Sequence, residues 1–154
     1  MTIWAGVTSS SGTVSYTYDD AVRKTTMTGP DNSITTYTYD TAGRLGSVTQ
    51  ADTGITSYTY DDSGRITAVA YGNGTTESKS YDAAGRITEV EYQDSGNTTQ
   101  SKYTYTYDAA GRKSSVTDKD DNITSYIYDN AGRLTEEIKK DEDGNTLYKN
   151  TYSY

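Results

Sequence analysis

At 154 residues with a formal charge of −8 and neither cysteine nor histidine, the chain is the size of one domain but has no disulfide or thiolate, and it lacks the commonest general base and zinc ligand. The acidic balance argues against nucleic acid and against an anionic membrane, since both require a basic face, and no apolar run approaches the ~18 residues of a spanning helix. Aliphatics are sparse, with three Leu, eight Ile, seven Val and no Phe, while 17 tyrosines are regularly placed. Each tyrosine can bury roughly 150–250 Å² and still offer a hydroxyl. A Tyr- and Thr-rich chain of this kind reads as all-β.

Residues 1–12 read as the second half of an earlier repeat, with Ile3, Trp4 and Val7 in an outgoing strand, and Met1–Gly6 lacks the basic and apolar regions of a signal peptide. Six full repeats follow, anchored at the Tyr-Asp steps of Asp19, Asp40, Asp61, Asp82, Asp108 and Asp129, which are 21, 21, 21, 26 and 21 residues apart. Four residues after each Asp stands an arginine: Arg23, Arg44, Arg65, Arg86, Arg112 and Arg133 are all the arginines of the chain. The first repeat carries Val22 where the others carry Gly43, Gly64, Gly85, Gly111 and Gly132. Five extra residues fall around Gln93 to Thr98, and the chain stops at Tyr152-Ser153-Tyr154, the opening of a seventh copy. The expectation is one tandem array over residues 1–154, excised from a longer chain.

Each repeat holds two turn signals. In Asp-x-x-Gly-Arg, the Asp side chain accepts main-chain N–H groups and the Gly supplies a positive φ, which predicts a three-residue hairpin loop with a bulge. The second signal is looser: Asp52 to Gly54, Gly72 to Gly74, Asp94 to Gly96, Asp118 to Asn122 and Asp141 to Asn145. Turns about every ten residues predict consecutive antiparallel hairpins, about two strands per repeat. Regular pairing would set Tyr60 opposite Ile66, Thr59 opposite Thr67, Tyr58 opposite Ala68 and Ser57 opposite Val69. Alternation then places Tyr58, Tyr60, Ile66 and Ala68 on one face, with Ile55, Val69 and Tyr71 on the other. Along the array this predicts a stripe of Tyr18, Tyr39, Leu45, Tyr60, Ile66, Tyr81, Ile87, Tyr107, Tyr128, Leu134 and Tyr154, broken by Lys24 and Lys113.

The same register sets each Asp opposite its Arg. Two roles suit this pair: an exposed ion pair that supports the turn, or a guanidinium that also covers a tyrosine of the adjacent repeat. The residues assigned to this structural motif are Tyr39, Asp40, Gly43 and Arg44, Tyr60, Asp61, Gly64 and Arg65, Tyr81, Asp82, Gly85 and Arg86, Tyr107, Asp108, Gly111 and Arg112, and Tyr128, Asp129, Gly132 and Arg133.

Tyr-x-Tyr-Asp-x-x-Gly-Arg-[Leu/Ile]-x-x-Val, repeated over essentially the whole chain, resembles the YD repeat of Rhs (rearrangement hotspot) proteins, a family that includes bacterial polymorphic toxins, the C components of ABC toxin complexes and teneurins. The resemblance implies an open, curved, spiralling sheet that forms part of a hollow β-shell, enclosing an effector in the toxins or forming a barrel in an adhesion receptor. It also implies a secreted or cell-surface parent, with neighbouring YD repeats of that longer chain as partners. The self-cleavage motif Asp-Pro-x-Gly of the toxin shells has no counterpart here, and Pro30, the single proline, lies in a turn. Six repeats are too few to close a shell, so exposed edges predict edge-to-edge self-association.

Catalysis would have to come from carboxylates such as Glu136 and Glu137, Asp120 and Asp121, or Glu89 and Glu91, but these fall on turns and strand surfaces and the reading is non-catalytic, with no cofactor. Asp118-x-Asp120-x-Asn122 and Asp141-x-Asp143-x-Asn145 alternate oxygen ligands as calcium loops do, yet lack the Gly at position six and the distal Glu in register. They read as Asx turns, with no metal site assigned. The competing function is carbohydrate binding by a tyrosine-rich face, with a glycan as partner.

Overall fold

The computed structural model describes residues 12–154; the outgoing strand expected at Ile3, Trp4 and Val7 lies outside them. The fold is all-β, and among the described residues there is no helix. The described residues sort into two compact units that divide after Thr76. In the first, strands β1 (Ser15–Tyr18), β2 (Lys24–Thr28), β3 (Ile34–Tyr39), β4 (Leu45–Gln50), β5 (Gly54–Tyr60) and β6 (Ile66–Ala70) run in chain order. In the second, β7 (Thr76–Tyr81), whose first residue is the last of the first unit, β8 (Ile87–Gln93), β9 (Thr99–Tyr107), β10 (Lys113–Asp118), β11 (Ile123–Tyr128), β12 (Leu134–Lys140) and β13 (Thr146–Thr151) do the same. Every described pairing is antiparallel and joins strands consecutive in sequence, so within each unit the sheet stays open.

The second turn signals at Gly72, Asp94, Asp118 and Asp141 make the same loop as the first. At the first, Asp61 N–H donates to the Arg65 carbonyl (3.0 Å) and Gly64 N–H to the Asp61 carbonyl (3.0 Å), while Gly64 takes φ 81°. At the second, Asp94 N–H donates to the Thr98 carbonyl (2.9 Å) and Asn97 N–H to the Asp94 carbonyl (3.0 Å), and the positive φ falls on Asn97 itself, at 62°. Asn and Asp tolerate this region better than other side chains. Val22 does not, yet its N–H bonds the Asp19 carbonyl (3.0 Å) as the glycines do and its φ is 60°. The first hairpin therefore keeps the common turn at a conformational cost.

Register departs from the regular pairing expected. Tyr60 faces Ile66, but Thr59 faces Ala68, Tyr58 faces Val69 and Ser57 faces Ala70. Thr67 is the extra residue of a β-bulge in the outgoing strand, and equivalent shifts follow Lys24, Leu45, Lys113 and Leu134. The physical reason lies in the [Leu/Ile]-x-x-Val spacing. Ile66 and Val69 are three residues apart, and a regular strand would send them to opposite faces. The bulge absorbs one residue and returns Val69 to the face of Tyr58 and Tyr60. Val69 accordingly belongs with the tyrosines, and Ala68 with Thr59 on the reverse side. Ile55 does lie on that reverse side, 54% exposed.

Packing is thin. Val69, at 7% exposed, is the one buried apolar side chain among the described residues. Tyr37, Tyr39, Leu45, Val48, Tyr58, Tyr60 and Ile66 are half-buried on the same face. With so little core, order has to come from cross-strand pairs, each worth roughly 0.2–1 kcal/mol, and from contacts that join one repeat to the next. The lysines expected to interrupt the stripe take part in it: Lys24 Nζ lies 5.0 Å from the ring centroids of both Tyr16 and Tyr37, and Lys113 Nζ lies 4.8 Å from that of Tyr105.

Candidate functional site: the clasp between repeats

The motif residues converge on a contact that repeats along each unit. In the second repeat, Asp40 Oδ1 accepts the N–H groups of Ala42 and Arg44 at 2.9 Å each, and Asp40 Oδ2 receives Arg44 Nε–H at 2.7 Å. One carboxylate thus closes the turn and fixes the guanidinium plane. Asp19, Asp61, Asp82, Asp108 and Asp129 hold Arg23, Arg65, Arg86, Arg112 and Arg133 in the same way. All six carboxyls sit below the usual Asp range. The Arg main-chain N–H bonded to Oδ1 is the leading cause, partial desolvation opposes it, and the guanidinium adds to it.

Once held, the guanidinium reaches across to the following repeat. Arg44 Cζ lies 4.5 Å from the Tyr60 ring centroid, and Arg44 Nη1–H donates to the Asp61 carbonyl at 3.1 Å. Arg23 covers Tyr39 at 4.8 Å; in the second unit Arg86 covers Tyr107 (4.4 Å), Arg112 covers Tyr128 (4.4 Å) and Arg133 covers Tyr154 (4.9 Å). The contact is reciprocal. The Tyr60 hydroxyl donates back to the Leu45 carbonyl at 2.8 Å, as Tyr39 does to Lys24 (2.8 Å), Tyr107 to Ile87 (2.6 Å) and Tyr128 to Lys113 (2.8 Å). That acceptor follows the covering arginine directly in sequence. Ring and hydroxyl therefore join consecutive hairpins at two points, and at Arg44 the guanidinium bond to the Asp61 carbonyl adds a third. Of the two roles considered for the Asp–Arg pair, the structure contains both.

The turn glycine has a second constraint. A Cβ built on Gly111 would stand 3.5 Å from Arg86 Nη1, and on Gly43 3.3 Å from Arg23 Nη1. The positive φ favours glycine, and the preceding repeat's arginine lies over the space a side chain would fill.

The glutamates considered for chemistry are engaged in the sheet, whereas Asp120 and Asp121 lie in the exposed turn after β10. Glu136 pairs with Lys149 (2.9 Å) and Glu89 with Lys102 (3.0 Å); Glu137 accepts from Tyr148 and Asn150, and Glu91 from Thr99. Glu136 and Glu137 are consecutive in β12 and so face opposite sides. In the Asp118 turn, Oδ1 accepts the Asp120 and Asn122 N–H groups, while Oδ2 takes Asn122 Nδ2–H (3.0 Å) and Lys139 Nζ (3.1 Å). Asp141 is bonded by Asn145 through both carboxylate oxygens. These are Asx turns in which the Asp118 and Asp141 carboxylates already have protein partners.

The family model described as Teneurin YD-shell matches residues 4–97, more than half of the chain. The chain belongs to the teneurin YD-shell family. A second model, RHS Repeat, matches residues 81–123. No curated protein matches the chain. Among solved structures, the Photorhabdus luminescens Tc holotoxin pore shares 17% identity and a TM-score of 0.58 over 91% of this chain and 9% of its own. The TcdB2–TccC3 complex gives 18% and 0.58 over 94% of this chain and 11% of its own, and its form without the hypervariable C-terminal region gives the same values. At this identity the likeness speaks for the fold. The chain spans about a tenth of the length of these proteins.

Proposed function

We propose that this chain is a non-catalytic length of shell wall, whose parent encloses or displays a toxin, effector or adhesion module at the cell exterior or after secretion. One observation carries the reading: the residues that define the motif spend their hydrogen-bonding and aromatic surface on the adjacent repeat. Tyr39, Tyr60, Tyr107 and Tyr128 each donate their hydroxyl to main chain beneath an arginine, which is what a wall needs and what a sugar-stacking platform cannot spare. The remaining partners follow from the same geometry: neighbouring repeats of the parent continue the ladder, and an edge left uncovered pairs with another copy.

The test is digestion of the full-length parent with proteinase K, native and with Arg44 and Arg112 both replaced by Ala. The reading expects an enclosed segment that survives in the native protein and is released in the variant. Equal cleavage of that segment in both would overturn it. Saturable binding to a glycan panel that perturbs Tyr60 and Tyr107 would instead favour the carbohydrate reading.

A further inference from the structure

Strands β8, β9 and β10 leave an open groove of about 230 Å³ lined by Ile87, Val90, Tyr105, Tyr107 and Lys113. Its walls are apolar or aromatic, and its one charge is the Lys113 ammonium. That position is apolar in four other repeats, as Leu45, Ile66, Ile87 and Leu134. Lys24 is the other exception, but its ammonium is held between two rings, Tyr16 and Tyr37. Lys113 stands over Tyr105 alone among the described residues, and its side chain is exposed.

Charge bookkeeping isolates this lysine further. All six arginines hold an aspartate, and Lys79, Lys102, Lys119, Lys139 and Lys149 each hold a carboxylate; of the three lysines that hold none among the described residues, Lys24, Lys113 and Lys140, Lys113 is the one that lines this groove. Among the described residues no carboxylate lies within ion-pair distance of Lys113. In a chain of net charge −8, a cation without a carboxylate at the mouth of an apolar groove is a complementary site for an external one.

We infer that this groove docks a peptide segment in which an acidic residue adjoins an aliphatic one, the carboxylate meeting Lys113 and the aliphatic group lying against Ile87 and Val90. The volume falls below the ~300–1,000 Å³ of small-molecule pockets, so it takes a side chain of an extended segment, and its openness leaves a long alkyl chain uncovered. The inference is independent of the wall reading: absence of peptide binding would leave that reading intact.

The probe is the capped tripeptide acetyl-Leu-Glu-Leu-amide, titrated into the isotopically labelled chain with the Ile87 and Val90 methyl and Tyr105 ring signals followed by NMR. Its Gln counterpart and octanoate serve as comparisons. The expected result is saturable shifts at these residues, weakened about fivefold, the upper range for an exposed ion pair, both by Gln in the peptide and by Lys113→Ile. That variant restores the residue type of the other repeats and so keeps the fold; Lys113→Arg keeps the charge and retains binding. Equal affinity for the Glu and Gln peptides, unchanged affinity in Lys113→Ile, shifts with octanoate alone, or no shifts up to the solubility limit would each overturn the proposal.

Discussion

Replacing Val22 by glycine should stabilise this protein, although it deletes a β-branched side chain from a sheet protein poor in aliphatics. Val22 has φ 60°, a left-handed conformation that costs an L-residue about 1–2 kcal/mol, and more for a β-branched one. The side chain is 72% exposed, so truncation loses little burial. Glycine's extra freedom in the unfolded chain offsets about 0.4–1 kcal/mol. The net gain is about 1 kcal/mol, equivalent to about 2–4 °C in Tm for a chain of this length. Circular dichroism melts of Val22→Gly and Val22→Asn against the parent measure it, with amide exchange at Ala21 to Lys24 reporting the local hairpin. An unchanged or lower Tm together with faster exchange at those amides would refute the reasoning, because it would mean that the turn gains nothing by relief of the positive φ.

The converse substitution, Gly43→Ala, should lower stability by about 1 kcal/mol or more, since φ is 80° and the added Cβ would stand 3.3 Å from Arg23 Nη1; urea unfolding checks it. Stability should also fall in acid. The six clasp aspartates titrate below their unfolded value of about 3.9, so their contribution is complete above that pH and is lost as pH drops through the lowered native values. Urea midpoints should therefore be flat between about pH 5 and 7 and decline below about pH 4, whereas a flat or rising profile on acidification would contradict the geometry.

Much of the architecture was legible because turn chemistry is local. Asp and Gly three residues apart specify a hairpin wherever they occur, and the period of 21 residues follows from two such turns and the strands between them. The bulge was harder to see. It is encoded in the three-residue interval between Ile66 and Val69, which conflicts with strand alternation, and the conflict is resolved only by asking which face tyrosine needs. The clasp was legible in part: the Asp–Arg pair follows from register, and its reach to the next tyrosine was one of two readings. The bond from the Tyr60 hydroxyl to the Leu45 carbonyl was not, because a main-chain acceptor leaves no mark in sequence. Lys24 and Lys113 misled for a related reason. A charge at an apolar position reads as an interruption until a ring is known to lie beneath it.

The central claim is that the YD motif joins one repeat to the next. A double-mutant cycle on Arg44 and Tyr60 tests it most directly, with unfolding free energies of Arg44→Ala, Tyr60→Ala and the double variant measured in urea. The account predicts a favourable coupling of about 0.5–1 kcal/mol, the range of a partly exposed cation–π contact, which persists when the cycle is repeated with Tyr60→Phe as background because the ring is kept. Additive single effects, with coupling indistinguishable from zero, would contradict it.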